Sequence, residues 1–299
     1  MAPVQKSSGG LPYALGAYAI WGVMPLYIVL LNTVDPFHLV GWRVLWSIPI
    51  CLIALALTGT MGKLKQALAD RGALRWLLLS SILISVNWLT YVAAVQTGHF
   101  YAASLGYYIN PLVNVILGTV LLHERLSRLQ WLAVGIAAAG IAVLAFEARD
   151  TLVISLVLAF SFSFYGFVRK RVKVDALPGL SVEVFMLTLP AIAALLLLPA
   201  GEKDFGDGWT ISLLLMGAGL MTGVPLTLFA EAARRMTYSA LGFVQFLTPT
   251  VVFVQGLVMF GEPLKPAQGV CFLLIWVAIA VFCADIIVRS RRGGAVAPA

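Results

Sequence analysis

Charged side chains are scarce in this 299-residue chain, at 11% against 61% hydrophobic residues. Soluble domains carry about 25% charged residues, so this chain lacks the charge to cover a water-facing surface. Six long stretches contain no Asp, Glu, Lys or Arg at all: 76–97, 101–122, 129–146, 151–168, 209–230 and 236–261. Each is near or above the ~18–20 residues that a helix needs to cross a bilayer. This scarcity excludes a soluble globular protein and predicts a membrane protein.

Alternation of polar and apolar residues, which is typical of a membrane β-barrel, is also missing. A backbone in lipid must satisfy its own hydrogen bonds, and an α-helix does so within each span. The gaps in charge and the Gly and Pro positions therefore predict an all-α membrane protein. Its ten transmembrane helices are placed near 11–31, 38–58, 74–96, 101–122, 128–146, 152–170, 181–200, 209–231, 238–260 and 266–288.

Motifs of catalysis and of metal or nucleotide binding are missing as well. The cysteines show no CxxC spacing, and no P-loop, HExxH or GxSxG pattern occurs. His38, His99 and His123 lie at span ends without partners at ligand spacing, and we interpret them as incidental. We therefore expect no catalytic residue, no metal site and no cofactor, and a protein that is not an enzyme.

The basic residues fall on alternate sides of the predicted spans. With the amino terminus in the cytoplasm, sixteen of the twenty lie in cytoplasmic segments, whereas the outer segments hold only Arg149, Lys203 and Lys265. This is the positive-inside pattern, and it predicts a multi-pass inner-membrane protein with both termini cytoplasmic. The net charge of +7 is thus a topology signal that favours the lipid bilayer as partner, not nucleic acid.

An internal repeat appears when the chain is shifted by 138 residues. The shift superposes Pro111 on Pro249, Gly118 on Gly256, Glu124 on Glu262, Leu126 on Leu264 and Gln130 on Gln268. Because a repeat of five helices is odd, its second copy must enter from the opposite face. We therefore predict two inverted five-helix repeats, 1–147 and 148–299. Inverted repeats are a recurring device for alternating access, with a substrate site between the halves.

Short signatures along the whole chain match a known family in order. They are Gly16–Tyr18, Trp21–Gly22, Pro25–Tyr27, Trp46–Ser47, Asn87–Trp88, Ser104–Tyr107, Ile109–Leu112, Glu124–Leu126, Ser161, Tyr165–Gly166, Arg169–Lys170, Pro225–Leu226, Gly242, Gln245, Pro249–Thr250 and Glu262–Pro263. On these residues the chain resembles the RarD-type permeases of the EamA group, in the drug/metabolite transporter (DMT) superfamily. The resemblance implies a ten-helix export permease. The superfamily includes exporters of amino acids, aromatic ones among them, and of drugs.

Two prolines in the repeat are predicted hinges. Pro111 and Pro249 lie near the middle of their helices, where proline removes a hydrogen bond and displaces the carbonyl four residues earlier. The freed carbonyls belong to Tyr107 and Gln245, at matching depth in the two halves. The alternative is an ordinary kink whose freed groups are satisfied by a neighbouring hydroxyl.

Arg43 is the only basic residue that we place inside a span. An arginine at mid-helix costs about 2.5–3.5 kcal/mol by insertion scales, and such residues are usually paired or functional. Its expected role is to hold a carboxylate or to latch the outer gate. The alternative is that its long side chain snorkels to the headgroups.

Polar and aromatic residues within the spans predict a central cavity. Asn87 and Tyr91 are four residues apart and share one helix face, which would be unfavourable in lipid. The predicted substrate-binding residues are Tyr18, Trp21, Arg43, Asn87, Tyr91, Tyr107, Tyr108, Asn110, Asn114, Tyr165, Gln245 and Thr248. Such a lining suits flat or amphiphilic substrates through stacking and cation–π contacts. The alternative is a set of interfacial and packing aromatics.

These patterns favour a secondary transporter that exports a small-molecule substrate, such as an amino acid or similar amphiphile, by alternating access. A multidrug or chloramphenicol-type permease is the alternative within the class. A membrane-embedded enzyme or receptor is less favoured, because neither a His/Asp/Glu cluster nor a large extramembrane segment is present. No acid occurs in the middle third of a span, so the sequence gives no support to a buried carboxylate as the coupling site. We expect a monomer or a weak homo-oligomer.

Overall fold

The computed structural model describes residues 9–97, 99–147, 152–259 and 266–293. Over these ranges the chain forms helices and no strand, which confirms the all-α prediction. The helices are α1 Leu11–Val29, α2 Pro36–Leu57, α3 Met61–Ala69, α4 Arg71–Gln96, α5 Phe100–Val120, α6 Arg128–Glu147, α7 Leu152–Arg171, α8 Ala176–Leu197, α9 Trp209–Arg235, α10 Tyr238–Gln245, α11 Leu247–Met259 and α12 Pro266–Gly293. The predictions that involve both chain ends, Arg149, Glu262–Pro263, Leu264 and Lys265 lie outside the described residues.

Within the described ranges, nine helical segments are long and apolar enough to cross a membrane: α1, α2, α4, α6, α7, α8, α9, the α10–α11 stretch 238–255, and α12. Large apolar side chains cover much of the outer surface; Leu57 is 82% exposed, and Leu197 and Trp209 are 80% exposed. Exposure of such an apolar surface to water is unfavourable, whereas contact with lipid is not, so the chain is a multi-pass membrane protein. The predicted span 101–122 forms α5 but is not among the nine.

Polar side chains fix several helix starts. Asp35 accepts hydrogen bonds from the amides two and three positions further on, and Asp70 does the same at the start of α4. These N-caps explain why α2 and α4 begin slightly earlier than predicted. Ser127 and Gln130 cap α6 reciprocally, because each side chain binds the other's backbone amide.

Two features differ from the predicted helices. The connection after α2 contains α3, a nine-residue helix that buries Leu64 and Ala67; it is too short to be detected as a span. The predicted helix 238–260 is divided at Phe246 into α10 and α11. Pro249 has no amide hydrogen to bind the Gln245 carbonyl, so one helical hydrogen bond is missing at this division. By contrast, α5 continues through Pro111.

The main apolar core joins α1, α2, α4, α5, α7, α8, α9 and α10, and a second cluster joins α6 and α12 to α5 and α10. Close packing of α9 on α2 depends on Gly219, where an added Cβ would lie 2.5 Å from the Trp46 carbonyl carbon. This is the helix contact that a small residue permits. The first core surrounds the candidate site.

Candidate functional site

A cavity lies among α1, α2, α4, α5, α7, α10 and α11. It is lined by Tyr18, Trp21, Met24, Arg43, Asn87, Trp88, Tyr91, Tyr107, Phe162, Gln245 and Thr248. Eight of these were predicted as substrate-binding residues, and the structure brings them together from five helices and the start of α11. Their role in binding stays a prediction. Nearly all are buried, with Trp21 and Tyr107 half-buried.

Arg43 is turned into the protein and is only 5% exposed. Its Nε donates a hydrogen bond to the Thr222 hydroxyl at 3.0 Å, and its guanidinium lies 5.0 Å from the centroid of the Trp88 ring. Thr222 in turn donates to the Ala218 carbonyl within α9. The arginine therefore does not snorkel to the headgroups, because α4 and α9 hold it beside the cavity.

Aromatic rings form the apolar walls. Trp21 meets Phe162 edge-on, with centroids 5.2 Å apart, and Tyr91 meets Tyr107 in the same manner at 5.3 Å. Edge-to-face contacts of this kind stabilise aromatic pairs and fix their orientation. Met24 completes the apolar lining with a flexible thioether. The walls can accept a flat apolar group.

Hydrogen bonds connect α1 to the divided helix. The Tyr18 hydroxyl donates to the Leu241 carbonyl at 3.3 Å, and the Thr248 hydroxyl donates to the Tyr18 carbonyl at 3.0 Å. The two bonds lie on either side of the break between α10 and α11. The cavity wall therefore includes the part of the backbone that Pro249 interrupts.

The two amide side chains of the lining are each held from behind. Asn87 Nδ2 donates to the Leu158 carbonyl at 3.0 Å and to the Ser161 hydroxyl at 3.1 Å. Gln245 Oε1 accepts from Asn114 Nδ2 at 2.9 Å. Held in this way, Asn87 can present its oxygen to a ligand, whereas Gln245 can present its amide hydrogens.

Four predicted substrate-binding residues are not among the lining residues. Asn114 supports Gln245 from behind, Asn110 Oδ1 accepts from the Ser163 hydroxyl at 3.0 Å, and Tyr108 packs in the α6–α12 cluster. The Tyr165 hydroxyl donates to Glu183 at 3.4 Å. Their polar character led to the prediction, but helix rotation turns each of them toward a neighbouring helix.

Three lining residues were not among the predicted binding residues. Trp88 follows Asn87 directly, so its position beside the predicted polar face was a usable signal. Phe162 and Met24 carry no such signal, since apolar residues within a span are far more often packing residues. Only the packing of α7 and α1 against their neighbours places them at the cavity.

A buried ion pair lies on the predicted cytoplasmic side of the main core. Glu183 is 3.4 Å from the Arg169 guanidinium and also accepts a hydrogen bond from Ser80 at 2.5 Å. Arg169 donates a second bond to the Ala176 carbonyl at 2.8 Å. The sequence placed both charges near span ends, whereas the structure buries them between α4, α7 and α8.

At the predicted outer side, His38 joins α2 to the connection after α8. Its Nδ1 lies 2.7 Å from Asp204 Oδ2, and its Nε2 lies 3.2 Å from the Leu198 carbonyl. Trp42 Nε1 donates to the same carboxylate at 2.6 Å and packs on Phe205. His38 therefore has a structural role in joining this connection to α2.

On the predicted cytoplasmic side, Glu124 caps a helix in the other half of the chain. Its carboxylate accepts from the amides of Tyr238 and Ser239, at 2.5 and 2.9 Å, at the start of α10. A carboxylate there also opposes the positive end of the helix dipole. Lys170 donates to the carbonyls of Ala233 and Met236 in the preceding turn. The carboxylate therefore joins the connection after α5 to the start of α10.

Apolar spans around an aromatic cavity with one buried arginine define an integral membrane protein with an internal cavity of mixed apolar and polar lining. No group of His, Cys, Asp and Glu in the described part of the chain could hold a metal ion. The sequence profile of the EamA-like transporter family matches residues 8–146.

Full-length relatives extend this match. An uncharacterised transporter of Pseudomonas aeruginosa is 42% identical over 284 residues, covering 94% of this chain and 95% of the relative. Protein RarD of Escherichia coli is 38% identical over 290 residues, covering 96% and 98%. The chain therefore belongs to the EamA-like family of the DMT superfamily and is a RarD-type permease, as the signatures indicated.

A solved crystal structure has the same fold. It superposes with a TM-score of 0.74 over 93% of this chain and 98% of that chain, at 18% sequence identity. At this identity the likeness concerns the fold alone.

Proposed function

We propose that the protein is a secondary transporter that exports small amphiphilic metabolites, aromatic amino acids among the candidates, from the cytoplasm across the inner membrane by alternating access. The observation that supports this most is the cavity between α1, α2, α4, α5, α7 and α10–α11. It combines aromatic walls, polar amides and one buried guanidinium. Binding sites for small molecules have this composition of apolar walls and few polar groups.

The contacts between helices support two inverted halves, 1–147 and 148–299. In this proposal α5 also crosses the membrane, which brings the number of spans to ten. The shift of 138 residues pairs α5 with α10–α11 and α6 with α12. Counting back through each half pairs α1 with α7, α2 with α8 and α4 with α9. If a twofold axis exchanges the halves, each contact between two helices must have a counterpart between their equivalents. The contact of α1 with α9 is matched by that of α7 with α4, and the contact of α2 with α9 is matched by that of α8 with α4. The self-matched pairs α2–α8, α5–α10 and α6–α12 are also in contact.

Polar contacts close both ends of the cavity in this proposal. The His38–Asp204 contact lies at the outer end, and the Glu124 cap on α10 lies at the cytoplasmic end. Polar contacts of this kind can exchange with water at low net cost, whereas apolar packing cannot. Breaking one set while keeping the other would open the cavity to one side at a time, with Pro111 and Pro249 as hinges.

A multidrug permease is the second candidate. A relative from Pseudomonas aeruginosa with the name chloramphenicol-sensitive protein RarD is 30% identical over 277 residues, covering 91% of this chain and 93% of the relative. If this alternative holds, transport should accept many unrelated amphiphiles, chloramphenicol among them.

Counterflow into proteoliposomes with a panel of amino acids and drugs tests the proposal. Tyr91→Ala and Arg43→Ala should change flux or substrate preference, because both side chains line the cavity. Tyr108→Ala is the matched control, since Tyr108 is as buried as Tyr91, at 6% exposure, but lies outside the lining. Equal effects of all three substitutions, or no protein-dependent flux for the entire panel, would count against the proposal.

The remaining parts of the proposal concern placement and assembly. Both termini are expected in the cytoplasm, and reporter fusions at Met1 and Ala299 test this directly. Detection of the two termini on opposite sides of the membrane would contradict inverted halves. The functional unit is proposed to be a monomer or a weak homo-oligomer, which the mass of the detergent-solubilised protein would distinguish.

A further inference from the structure

The cavity carries a charge that is not balanced within the described part of the chain. Among the described lining residues, Arg43 alone is charged at neutral pH. We propose that the cavity selects organic monoanions, namely aromatic carboxylates without an ammonium group, over zwitterions and cations. This inference rests on the proposed transport function and narrows its substrate class, because amino acids are zwitterions at neutral pH.

The first observation is the set of partners of Arg43. In the described residues, the guanidinium makes one hydrogen bond, from Nε to Thr222, and no ion pair. Its two terminal nitrogens are left for a ligand, and their fork geometry matches a carboxylate. The ion pairs of the described residues instead join Glu183 to Arg169, Asp204 to His38, Asp175 to Lys63 and Arg234, and Glu231 to Arg234 and Arg235. A buried charge without a counter-charge is unfavourable, so a bound anion would stabilise this site.

The second observation is an excess of hydrogen-bond donors. Gln245 has its oxygen occupied by Asn114, which leaves its amide hydrogens for a ligand. Trp21 and Trp88 each bring an indole N–H and no acceptor. Donors directed at a ligand favour negative charge on it.

The acceptors that the side chains of the lining offer to a ligand ammonium are all neutral. Asn87 can offer its Oδ1, because its hydrogen bonds to Leu158 and Ser161 both use Nδ2 as the donor. Thr248 directs its hydroxyl proton to the Tyr18 carbonyl, so its oxygen is a second neutral acceptor. With the Tyr91 and Tyr107 hydroxyls, these acceptors are neutral and do not balance the charge of an ammonium group that enters beside the Arg43 guanidinium. Burial of such a group would add a like charge to a site of low dielectric constant.

The aromatic walls define the remainder of the ligand. The Trp21–Phe162 and Tyr91–Tyr107 pairs have fixed edge-to-face geometry and leave an apolar surface between them. A ligand with a phenyl or indole ring and a carboxylate has one apolar end and one anionic end. The two ends of such a ligand match the two kinds of surface in the cavity.

Three ligands with one phenyl ring and different charge test the inference on the unaltered protein. They are 3-phenylpropanoate, phenylalanine and 2-phenylethylammonium, which are anionic, zwitterionic and cationic at pH 7.5. Isothermal titration calorimetry on the detergent-solubilised protein measures affinity without interference from diffusion across a bilayer. Counterflow with protein-free liposomes as the blank then measures transport. We expect 3-phenylpropanoate to bind at least about tenfold more tightly than phenylalanine, because phenylalanine must also bury its ammonium group beside a like charge, and the amine to bind most weakly.

Two variants locate the selectivity. Arg43→Gln should reduce 3-phenylpropanoate affinity about tenfold or more and abolish the preference over phenylalanine, whereas Arg43→Lys should keep the preference at reduced affinity. Arg171→Gln is the matched control, because it removes the same charge from an exposed arginine that also lies over an aromatic ring, outside the cavity. The control should bind like the unaltered protein.

The outcomes separate the inference from the proposed function. Equal or tighter binding of phenylalanine or of the amine, with protein-dependent transport intact, overturns the inference and leaves the transporter in place. The same holds if Arg43→Gln keeps the anion preference. Counterflow of 3-phenylpropanoate that exceeds that of phenylalanine and is lost in Arg43→Gln supports both.

Discussion

The buried Arg169–Glu183 pair allows a sharp prediction about stability. Both side chains are essentially inaccessible, at 0% and 2% side-chain exposure, and the closest nitrogen–oxygen distance is a long 3.4 Å. Arg169→Met keeps an apolar stem but leaves the Glu183 carboxylate buried without its cation. Removal of one partner from a buried pair typically costs about 3–5 kcal/mol. We expect a loss of this size in the free energy of unfolding.

The effects of substituting Arg169 and Glu183 on the free energy of unfolding should not be additive. Arg169 Nε has no hydrogen-bond partner, so the geometry of the pair is imperfect. Imperfect buried pairs gain little over apolar residues of similar volume. The double variant Arg169→Met with Glu183→Gln should therefore lose much less stability than Arg169→Met alone, by about 2 kcal/mol or more.

SDS titration in mixed micelles measures these free energies of unfolding, with Arg235→Met as the control. Arg235 pairs with Glu231 at the exposed end of α9, where ion pairs contribute less than about 1 kcal/mol. The reasoning is refuted if Arg169→Met costs no more than Arg235→Met, or if the double variant is no more stable than the single variant.

Two further predictions concern packing and pH. Gly219→Ala should lower the free energy of unfolding by about 1–3 kcal/mol, because the added Cβ would overlap with the α2 backbone. Gly223→Ala is the control and should be close to neutral in the same titration, since its Cβ would lie 3.7 Å from the nearest neighbouring atom. Asp175 lies outside the spans, and hydrogen bonds from Lys63 and Arg234 lower the pKa of its carboxyl group in the folded protein. The carboxylate therefore contributes fully to stability above its ordinary pKa of about 3.9, and this contribution is lost as the pH falls through the lowered pKa of the folded state. Asp175→Asn should therefore reduce the thermal midpoint at pH 6 and lose that effect toward pH 3; an equal reduction at both pH values would contradict this.

The spans could be predicted from the sequence because charge is excluded from lipid. The charge-free stretches correspond to helices α4, α5, α6, α7, α9 and α10–α11 within a few residues. The helix α3 could not be predicted in this way, since nine residues of mixed polarity carry no membrane signal. The division at Phe246 depends on how α10–α11 packs against α1, which the proline alone does not determine, as the unbroken α5 demonstrates.

The candidate site could be predicted where a residue type is unfavourable in lipid. Arg43, Asn87 and Gln245 had to face inward, and each lines the cavity. An inward orientation does not reveal whether a side chain meets the cavity or a neighbouring helix. Asn114 and Tyr165 were therefore predicted at the cavity, but they bind neighbouring helices. Periodicity gives the orientation of a residue about its own helix axis. The neighbour that it meets follows only from the packing.

The two halves share a sequence repeat but not the same backbone at their prolines. Pro111 lies inside an unbroken α5, whereas three residues before Pro249 the chain turns between α10 and α11. The hydrogen bonds from Tyr18 and Thr248 then tie α1 to both sides of that turn. Gln245, whose carbonyl the proline frees, is the last residue of α10 and presents its side chain to the cavity. A ligand that binds the Gln245 amide therefore contacts the divided helix at its break. Ligand binding and helix bending are thus coupled at one residue of α10, whereas the equivalent helix α5 has no such break.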